Sequence, residues 1–376
     1  MASRPLVSVI VPAYNASRFI RAALQSALDQ AYTHIEVIVV DDGSEDATPD
    51  IVREVAARDE RVRLIRQANR GVARARNTAI AEARGTYVAP LDADDLWFPH
   101  KIERQVACLE QAGPAAGLAY TWWVSIDEEG HIRGTAPQWN FEGDVLEALT
   151  YVNFIGNASV PLMRRACVEE VGGYNEELQA QGAQGCEDWD LALRIAERRR
   201  VRVVPAYLSA YRGVQGSMSN DTKAMGRSYD LVVAALKRRN PELPDEVVRW
   251  SRSNFYKYLA DLSYAGEDYA MALHWLRKIV ALDPSVLLSP TQLKLVAKSL
   301  ALHAVKPLMQ TIWPSREARL ALRRRLGGRS RPVMDADELN GSDLPETFGR
   351  RRWSPHGRAC RRRWAQVTHS DATCAA

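Results

Sequence analysis

The sequence predicts an α/β fold: a mostly parallel sheet with helices on both faces, followed by a region of helices only. Three observations predict it. Continuous β-branched runs, "LVSVIVP" at Leu6–Pro12 and "IEVIVVDDGS" from Ile35, read as strands buried on both faces. Helix-like segments alternate with these runs, the order that produces parallel strands. From about Thr222 the strand signal stops and only helical patterns follow.

The elements follow in order. After the first strand, Ser17 is placed to cap a helix through "RFIRAALQSALDQ". The second strand leads into a helix from about Ala47 to Arg58 and a short strand "VRLIR". Another helix spans about Ala73 to Ala83, and "TYVAPLD" is the next strand. In such sheets ligands sit beyond the carboxyl ends of the strands. Asn15, Asp41, Asp42 and the run Asp92, Asp94, Asp95 all fall there, so one crevice can collect them. A helix begins near Pro99, and "GLAYTWWVSIDEEGHIRG" reads as a hairpin turning near Glu129 and Gly130. "CEDWDLALRIAERR" starts a helix, and "VRVVPAYLSAYR" returns to strand. "NFYKYLADLSYAGEDYAMALHWLRKIVALDPS" reads as a helical hairpin. Ala260, Tyr269, Ala272 and Pro284 have tetratricopeptide-like spacing, but one unit cannot make a solenoid, so a packed appendage is expected.

These patterns divide the 376 residues into an α/β domain at 1–221, a helical region at 222–326 and a tail at 327–376. Apolar residues make up 46% of the chain, enough for a sizeable core, and the net charge of +4 marks no class of partner. Five scattered cysteines without C-x-x-C point to a reducing, cytoplasmic setting. "MASRPLVSVIVPAYN" lacks the pattern of a signal peptide, and no run is long enough for a transmembrane helix. No acidic residue lies between Asp283 and Glu317, where Leu293, Val296, Leu300, Ala304 and Leu308 recur at helical spacing among Lys294, Lys298 and Lys306. Such a helix suits either an anionic membrane surface, the inner face of the cell membrane, or packing on the α/β domain. The tail is rich in Gly, Pro, Ser and Arg and reads as unstructured. Its arginine triplets, Arg350–Arg352 and Arg361–Arg363, read as solvated charge, and no specific nucleic acid is expected. His356, Cys360, His369 and Cys374 match no standard zinc spacing.

The chemistry concentrates in "APLDADDLWFPHK", where three carboxylates crowd a strand end. Like charges so placed cost free energy unless a cation or hydrogen bonds offset them. Neither G-x-G-x-x-G after the first strand nor G-x-x-x-x-G-K-[ST] occurs, so a bound diphosphate has no glycine cradle. A divalent cation, Mn²⁺ or Mg²⁺, with arginines can neutralise it instead. Asp92 and Asp94, two apart, can share that cation. Asp95 then supports the loop or caps the next helix.

The set "SVIVPAYN", "VIVVDDGSEDAT", "NRGVARARNTAIAEARGTYVAPLDADD", "VGGYNEE" and "CEDWDLALRIA" resembles the family 2 glycosyltransferases with their GT-A fold, over about residues 5 to 220 and in family order. The resemblance implies inverting transfer of a sugar from a nucleotide-sugar donor, UDP being the commonest nucleotide, to a glycan or lipid-linked acceptor. It implies that Asp42 contacts the base or ribose and that Pro12, Tyr14 and Asn15 line the nucleotide pocket. Arg70, Arg74 and Arg76 become candidates for base or phosphate. Asp92, Ala93 and Asp94 match the D-x-D segment, Asp92 and Asp94 as metal ligands, and Asp188 matches the catalytic base. Glu187 and Trp189 become candidates for acceptor contact, and "QAQGAQG" for a closing loop.

Plainer roles stand beside these. Asp42 to Ser44 can be a helix-capping turn, Asp188 an N-cap, and Arg74 a surface residue. Trp122, Trp123 and Trp139 can face a sugar or pack in the core. One departure stands out: relatives carry a histidine two residues after the arginine of "YR", where this chain has Val214. The other reading that this leaves open is a non-catalytic nucleotide-sugar-binding scaffold acting through its helical region. A dinucleotide-dependent oxidoreductase fails on the missing glycine fingerprint.

Overall fold

A computed structural model describes residues 4–214, 217–218, 221–284 and 290–312. The arginine triplets, the tail cysteines and histidines, and Leu308 as a side chain lie outside the described residues.

The first half is built on β1 (Val7–Ala13), α1 (Ile20–Leu28), β2 (Ile35–Asp41), α2 (Thr48–Ala56), β3 (Val62–Arg66), α3 (Val72–Ala81) and β4 (Tyr87–Pro90). All seven residues of β1 are buried, because helices cover both faces of the sheet. β1 pairs in parallel with β2 and β4, and β2 with β3. Ser17 does not cap α1, which starts at Ile20 behind an N-cap, Phe19, that makes no side-chain bond. Its local preference yields to loop–loop pairing. The Ser17 amide donates to Asp46, the Ala16 amide to Thr48, and the Asn15 amide to Ser44.

The second half adds β5 (Leu96–Trp97), α4 (Lys101–Ala112), β6 (Ala116–Ile126), β7 (Ile132–Thr135), α5 (Leu146–Tyr151), β8 (Leu162–Arg164), α6 (Arg165–Glu170), α7 (Glu177–Ala180), α8 (Glu187–Ala196) and β9 (Arg200–Arg212). Strand order is β3-β2-β1-β4-β8-β6-β9-β5, with β7 on β6. The expected parallel sheet is thus its first half. The second half is mixed: β8 lies antiparallel to β4 and β6, while β6 and β9 run parallel. The expected hairpin is β6–β7.

Four helices complete the described chain: α9 (Thr222–Arg239), α10 (Asp245–Ala265), α11 (Tyr269–Leu282) and α12 (Pro290–Ile312). Asp221 caps α9, accepting from the amides of Lys223 and Ala224, and Asp268 caps α11 through Met271. Ala260 and Ala272, both fully buried, let α10 and α11 pack as the expected hairpin. One apolar cluster runs from Ile10 and Ile38 through Tyr120 and Leu193 to Leu259 and Ile279, so the helical region shares a core with the α/β half.

Candidate active site

β4 ends at Pro90, and the three aspartates that follow have three different environments. Asp95 is fully buried. Its Oδ2 accepts from the Ser159 hydroxyl at 2.6 Å and its Oδ1 from the Arg212 amide at 2.8 Å. The Ser159 hydroxyl in turn accepts from the Asp92 amide at 3.0 Å. Of the two roles left open for Asp95, loop support is the one observed; α4 starts only at Lys101, behind His100. Asp92 pairs with Arg76 at 2.5 Å. Asp94 has no side-chain partner for its carboxylate among the described residues. Burial, then the neighbouring charge of Asp92, lift its pKa to about 6. Two carboxylates at a strand end, one of them desolvated and unpaired, fit a hard divalent cation, which takes oxygen ligands. Val214, after β9, offers no ligand atom.

Arg212 braces this loop. Its Nε donates to the Asp94 carbonyl at 2.7 Å, and its Nη1 to the carbonyls of Asp127 and Glu128 in the β6–β7 turn. In that turn Asp127, Glu129 and His131 bring ligand-type atoms within 4.8 Å of one another. Asp127 is already engaged there by Arg133 at 2.5 Å and by the His131 amide at 2.7 Å, the bonding of a clasped hairpin turn.

Asp188 lies in the first turn of α8. The N-cap is Cys186, so Asp188 is not the cap; its Oδ1 accepts from the Trp189 amide at 2.8 Å. Burial raises its pKa to about 7, against the pull of the Arg76 charge and with a further push from Glu187. Arg76 therefore stands between the D-x-D loop and Asp188. Only 4% exposed, it lies over the Tyr174 ring at 5.1 Å. Asn77, one residue on in α3, fixes Tyr174: its Oδ1 accepts from the Tyr174 amide at 2.8 Å and its Nδ2 donates to the Tyr174 carbonyl at 2.9 Å. Gly173 is required here, since a Cβ would stand 2.6 Å from Asn77 Oδ1 and its φ is +70°. Tyr174, Asn77 and Ser159 were not singled out from the sequence. The glycine pair in "VGGYNEE" was the available signal for the first. A small cavity lined by Asp188, Tyr174, Asn153 and Asn157, of about 10 Å³, has room for about one water.

The loops after β1 and β2 hold the other expected residues. Pro12 is buried in β1, and Tyr14 is 51% exposed. Asn15 takes a left-handed conformation with φ 48°, and its Oδ1 accepts from the Glu45 amide. Asp42 is 3% exposed, and its carboxylate accepts from the Gln67 side chain and from the amides of Arg70 and Gly71. It organises the loop after β3. Arg70 is exposed, whereas Arg74 pairs with Glu176 at 3.2 Å and Arg76 is committed to Asp92. Ala93 is 9% exposed within the D-x-D loop.

The expected acceptor residues are also redistributed. Trp189 is a core residue: 4% exposed, it donates to the Leu149 carbonyl and packs on Tyr229 and Phe255. Glu187, buried, accepts from the Gly185 amide at 2.8 Å and so closes the loop before α8; burial raises its pKa. Trp139 stacks on Phe141, Trp122 packs at a tilt on Tyr207, and Trp123 meets Tyr211 edge-on.

Residues 8–171 match the family described as Glycosyl transferase family 2. The chain is 35% identical over 195 residues to a chondroitin synthase of Escherichia coli, covering 51% of this chain and 27% of that protein. It is 47% identical over 128 residues to the putative teichuronic acid biosynthesis glycosyltransferase TuaG of Bacillus subtilis, covering 34% and 50%. It thus spans half or less of the length of these curated relatives. Among solved structures, S. aureus TarS 1-349 in complex with UDP superposes with a TM-score of 0.55 at 17% identity, over 88% of this chain and 94% of that one. The mannosyltransferase PcManGT from Pyrobaculum calidifontis, in complex with GDP-Man and Mn²⁺, gives 0.52 at 20% identity, over 84% and 89%. At these identities the two structures share the fold.

Proposed function

Because the chain carries a family 2 glycosyltransferase domain, we propose that it moves a sugar, with inversion, from a nucleotide-diphosphate donor to a hydroxyl of a glycan or glycolipid. The observation that carries this reading is the ion pair of Arg76, from α3, with Asp92, in the loop after β4, whose charges also act on Asp94 and on Asp188 of α8. Asp188 accepts the acceptor proton as its oxygen attacks the anomeric carbon and the bond to the diphosphate breaks. A pKa near 7 suits this: at neutral pH much of the carboxyl is ionised and still basic enough to take a proton. Asp94 with Asp92 would hold a divalent cation, which when bound would supply Lewis-acid stabilisation for the departing diphosphate. Arg76 keeps Asp92 in place and biases Asp188 toward ionisation.

The donor is proposed to carry UDP, in keeping with the fold shared with a UDP complex. Tyr14, Asn15 and Arg70 line its approach, and the stretch from Gln179 to Gly185 closes over it. The chain is placed at the cytoplasmic face of a membrane, with α12 as its contact. No described helix is long and apolar enough to cross one.

The test is thermal stabilisation by UDP, GDP and other nucleotide diphosphates, each with Mn²⁺, with Mg²⁺ and with chelator. Metal-dependent stabilisation by at least one nucleotide, together with release of that nucleotide from its sugar conjugate, is expected. No stabilisation by any of them would overturn the reading.

A further inference from the structure

We propose that Asn157, in the loop between α5 and β8, is a positioning residue for Asp188: its side-chain amide donates to a water in the cavity that the two residues share, and that water donates to the Asp188 carboxylate. The inference rests on Asp188 being the base.

The two ends of this link are on the same small cavity, which Asn157 and Asp188 line together with Asn153 and Tyr174. The orientation of the Asn157 amide is set by its oxygen. Oδ1 accepts from the Ser159 amide at 3.0 Å, which leaves Nδ2 as the donor. That Nδ2 is buried and has no hydrogen-bond partner among the described residues. A buried donor left in that state is costly and rare in folded proteins. Asn153 cannot take the same part, because both ends of its amide are spent on Gly156, whose carbonyl accepts from it and whose amide donates to it, each at 3.1 Å. On the other side, Asp188 uses Oδ1 for the Trp189 amide, and Oδ2 has no partner among the described residues. The cavity has room for about one water, and a water needs at least two polar partners. Asn157 and Asp188 supply the donor and the acceptor.

The loop is anchored firmly enough to aim the amide. The Ser159 carbonyl accepts from Trp97 Nε1 at 2.7 Å, and the Val160 carbonyl from Gln105 Nε2 at 3.0 Å. Gly156, with φ +104°, lies so close to Trp123 that a Cβ would stand 2.2 Å from its Nε1. The Ser159 hydroxyl holds the Asp92 amide and Asp95. One loop therefore fixes the D-x-D segment at Ser159 and reaches toward Asp188 at Asn157.

A hydrogen bond donated to a carboxylate favours its ionised form. Loss of the donor should raise the Asp188 pKa above about 7 and shrink the ionised fraction at neutral pH. The other groups whose charge acts on Asp188, or on which its charge acts, are Arg76 of α3, Asp92 after β4, Tyr174 before α7, Cys186 and Glu187 at the start of α8, and Tyr258 of α10. All of them are unchanged in the variants below.

The experiment compares wild type, Asn157→Asp and Asn157→Leu. Asn157→Asp keeps the size and the acceptor for the Ser159 amide and removes the donor; Asn157→Leu removes both. The Asp188 carboxyl is titrated by carbon-13 NMR, its signal assigned through Asp188→Asn. Release of nucleotide from the nucleotide sugar that passes the test above is followed against pH, and the affinity for UDP with Mn²⁺ by calorimetry. The Asp188 titration should move up by about one unit in both variants, the scale of a hydrogen bond to a charged group. The acid limb of release should move with it, lowering the rate at pH 7 about fivefold and sparing it at pH 9. In Asn157→Asp the UDP affinity should stay within about twofold of wild type, since the Ser159 bond is kept. An Asp188 titration at its wild-type position in Asn157→Asp would overturn the proposal. So would a loss of UDP affinity in place of that shift, which would confine Asn157 to supporting the D-x-D loop. Failure of the base assignment reads differently: Asp188→Asn would keep its turnover while the carboxyl titration still moved in both Asn157 variants.

Discussion

At the scale of single residues, the chemistry rests on how burial and neighbouring charge separate similar carboxylates. Asp95 is consumed by hydrogen bonds and Asp92 by Arg76, while Asp94, which we propose as a cation ligand, has no side-chain partner among the described residues. Asp94→Asn should therefore abolish metal-dependent nucleotide binding, read by calorimetry with and without Mn²⁺. The melting temperature in chelator should hold or rise, because repulsion with Asp92 is relieved. Full metal-dependent affinity in that variant would remove Asp94 from the site. For Asp188 the sign follows from its role. The base must be ionised, so kcat/KM should fall as pH drops below about 7. In Asp188→Asn that acid limb should vanish and turnover fall by about 10²–10⁴, with donor affinity unchanged. Sequence carried the clustering of aspartates at strand ends. It did not carry their partners. That Asp42 accepts three bonds from residues 67–71, or that Arg76 lies buried over the Tyr174 ring, depends on which loops meet.

At the scale of elements, buried strands were legible because their apolar runs are continuous, and α2, α3 and α8 because their periods are clear. β8, three residues long, was not, since so short a strand is set by its neighbours β4 and β6. The start of α1 was misread because a tertiary contact of Ser17 outweighed its capping preference. The turn into α3 shows the same dependence on meeting loops. Gly71 has φ 84° and ψ 164°, a region essentially confined to glycine, and its amide donates to Asp42. Gly71→Ala should cost about 1–3 kcal/mol by denaturant titration and weaken nucleotide binding; the new Cβ would also displace the side chain of Gln179 in α7. A stability equal to wild type would refute the strain argument. In α12, Leu295, Val296 and Ser299 face the core, while Leu293 and Leu300 are 48% and 53% exposed beside exposed Lys294 and Lys298. That outer face suits an anionic surface. The protein should sediment with anionic vesicles at low salt and be released by high salt; equal partition onto neutral vesicles would count against it.

At the scale of the whole molecule, the change of character at Thr222 was legible, but the continuity of the core across it was not. Composition and periodicity report what each segment is, and they do not report which faces meet. Phe255 of α10 lies between Tyr229 of α9 and Trp189 of α8, at 4.2 and 5.6 Å between ring centroids. Tyr229, fully buried, donates to Ser251, whose hydroxyl reaches Thr150 in the α/β half. Removing residues from Thr222 onward would strip the cover from Trp189 and Leu149 and expose an apolar face next to Asp188. Two independent domains would unfold in separate steps, and residues 1–221 would fold alone. A shared core predicts otherwise. The full chain should lose its near-ultraviolet aromatic signal and its helical signal in one coincident transition. A chain ending at Asp221 should aggregate or melt without cooperativity. Leu259→Ala, deep in the helical region, should destabilise that single transition by about 2–5 kcal/mol, and it should lower the midpoint seen from the α/β half by the same amount. A midpoint that moved for the helical signal alone would establish two cores, and α8, with Asp188 in its first turn, would then owe nothing to the helices behind it.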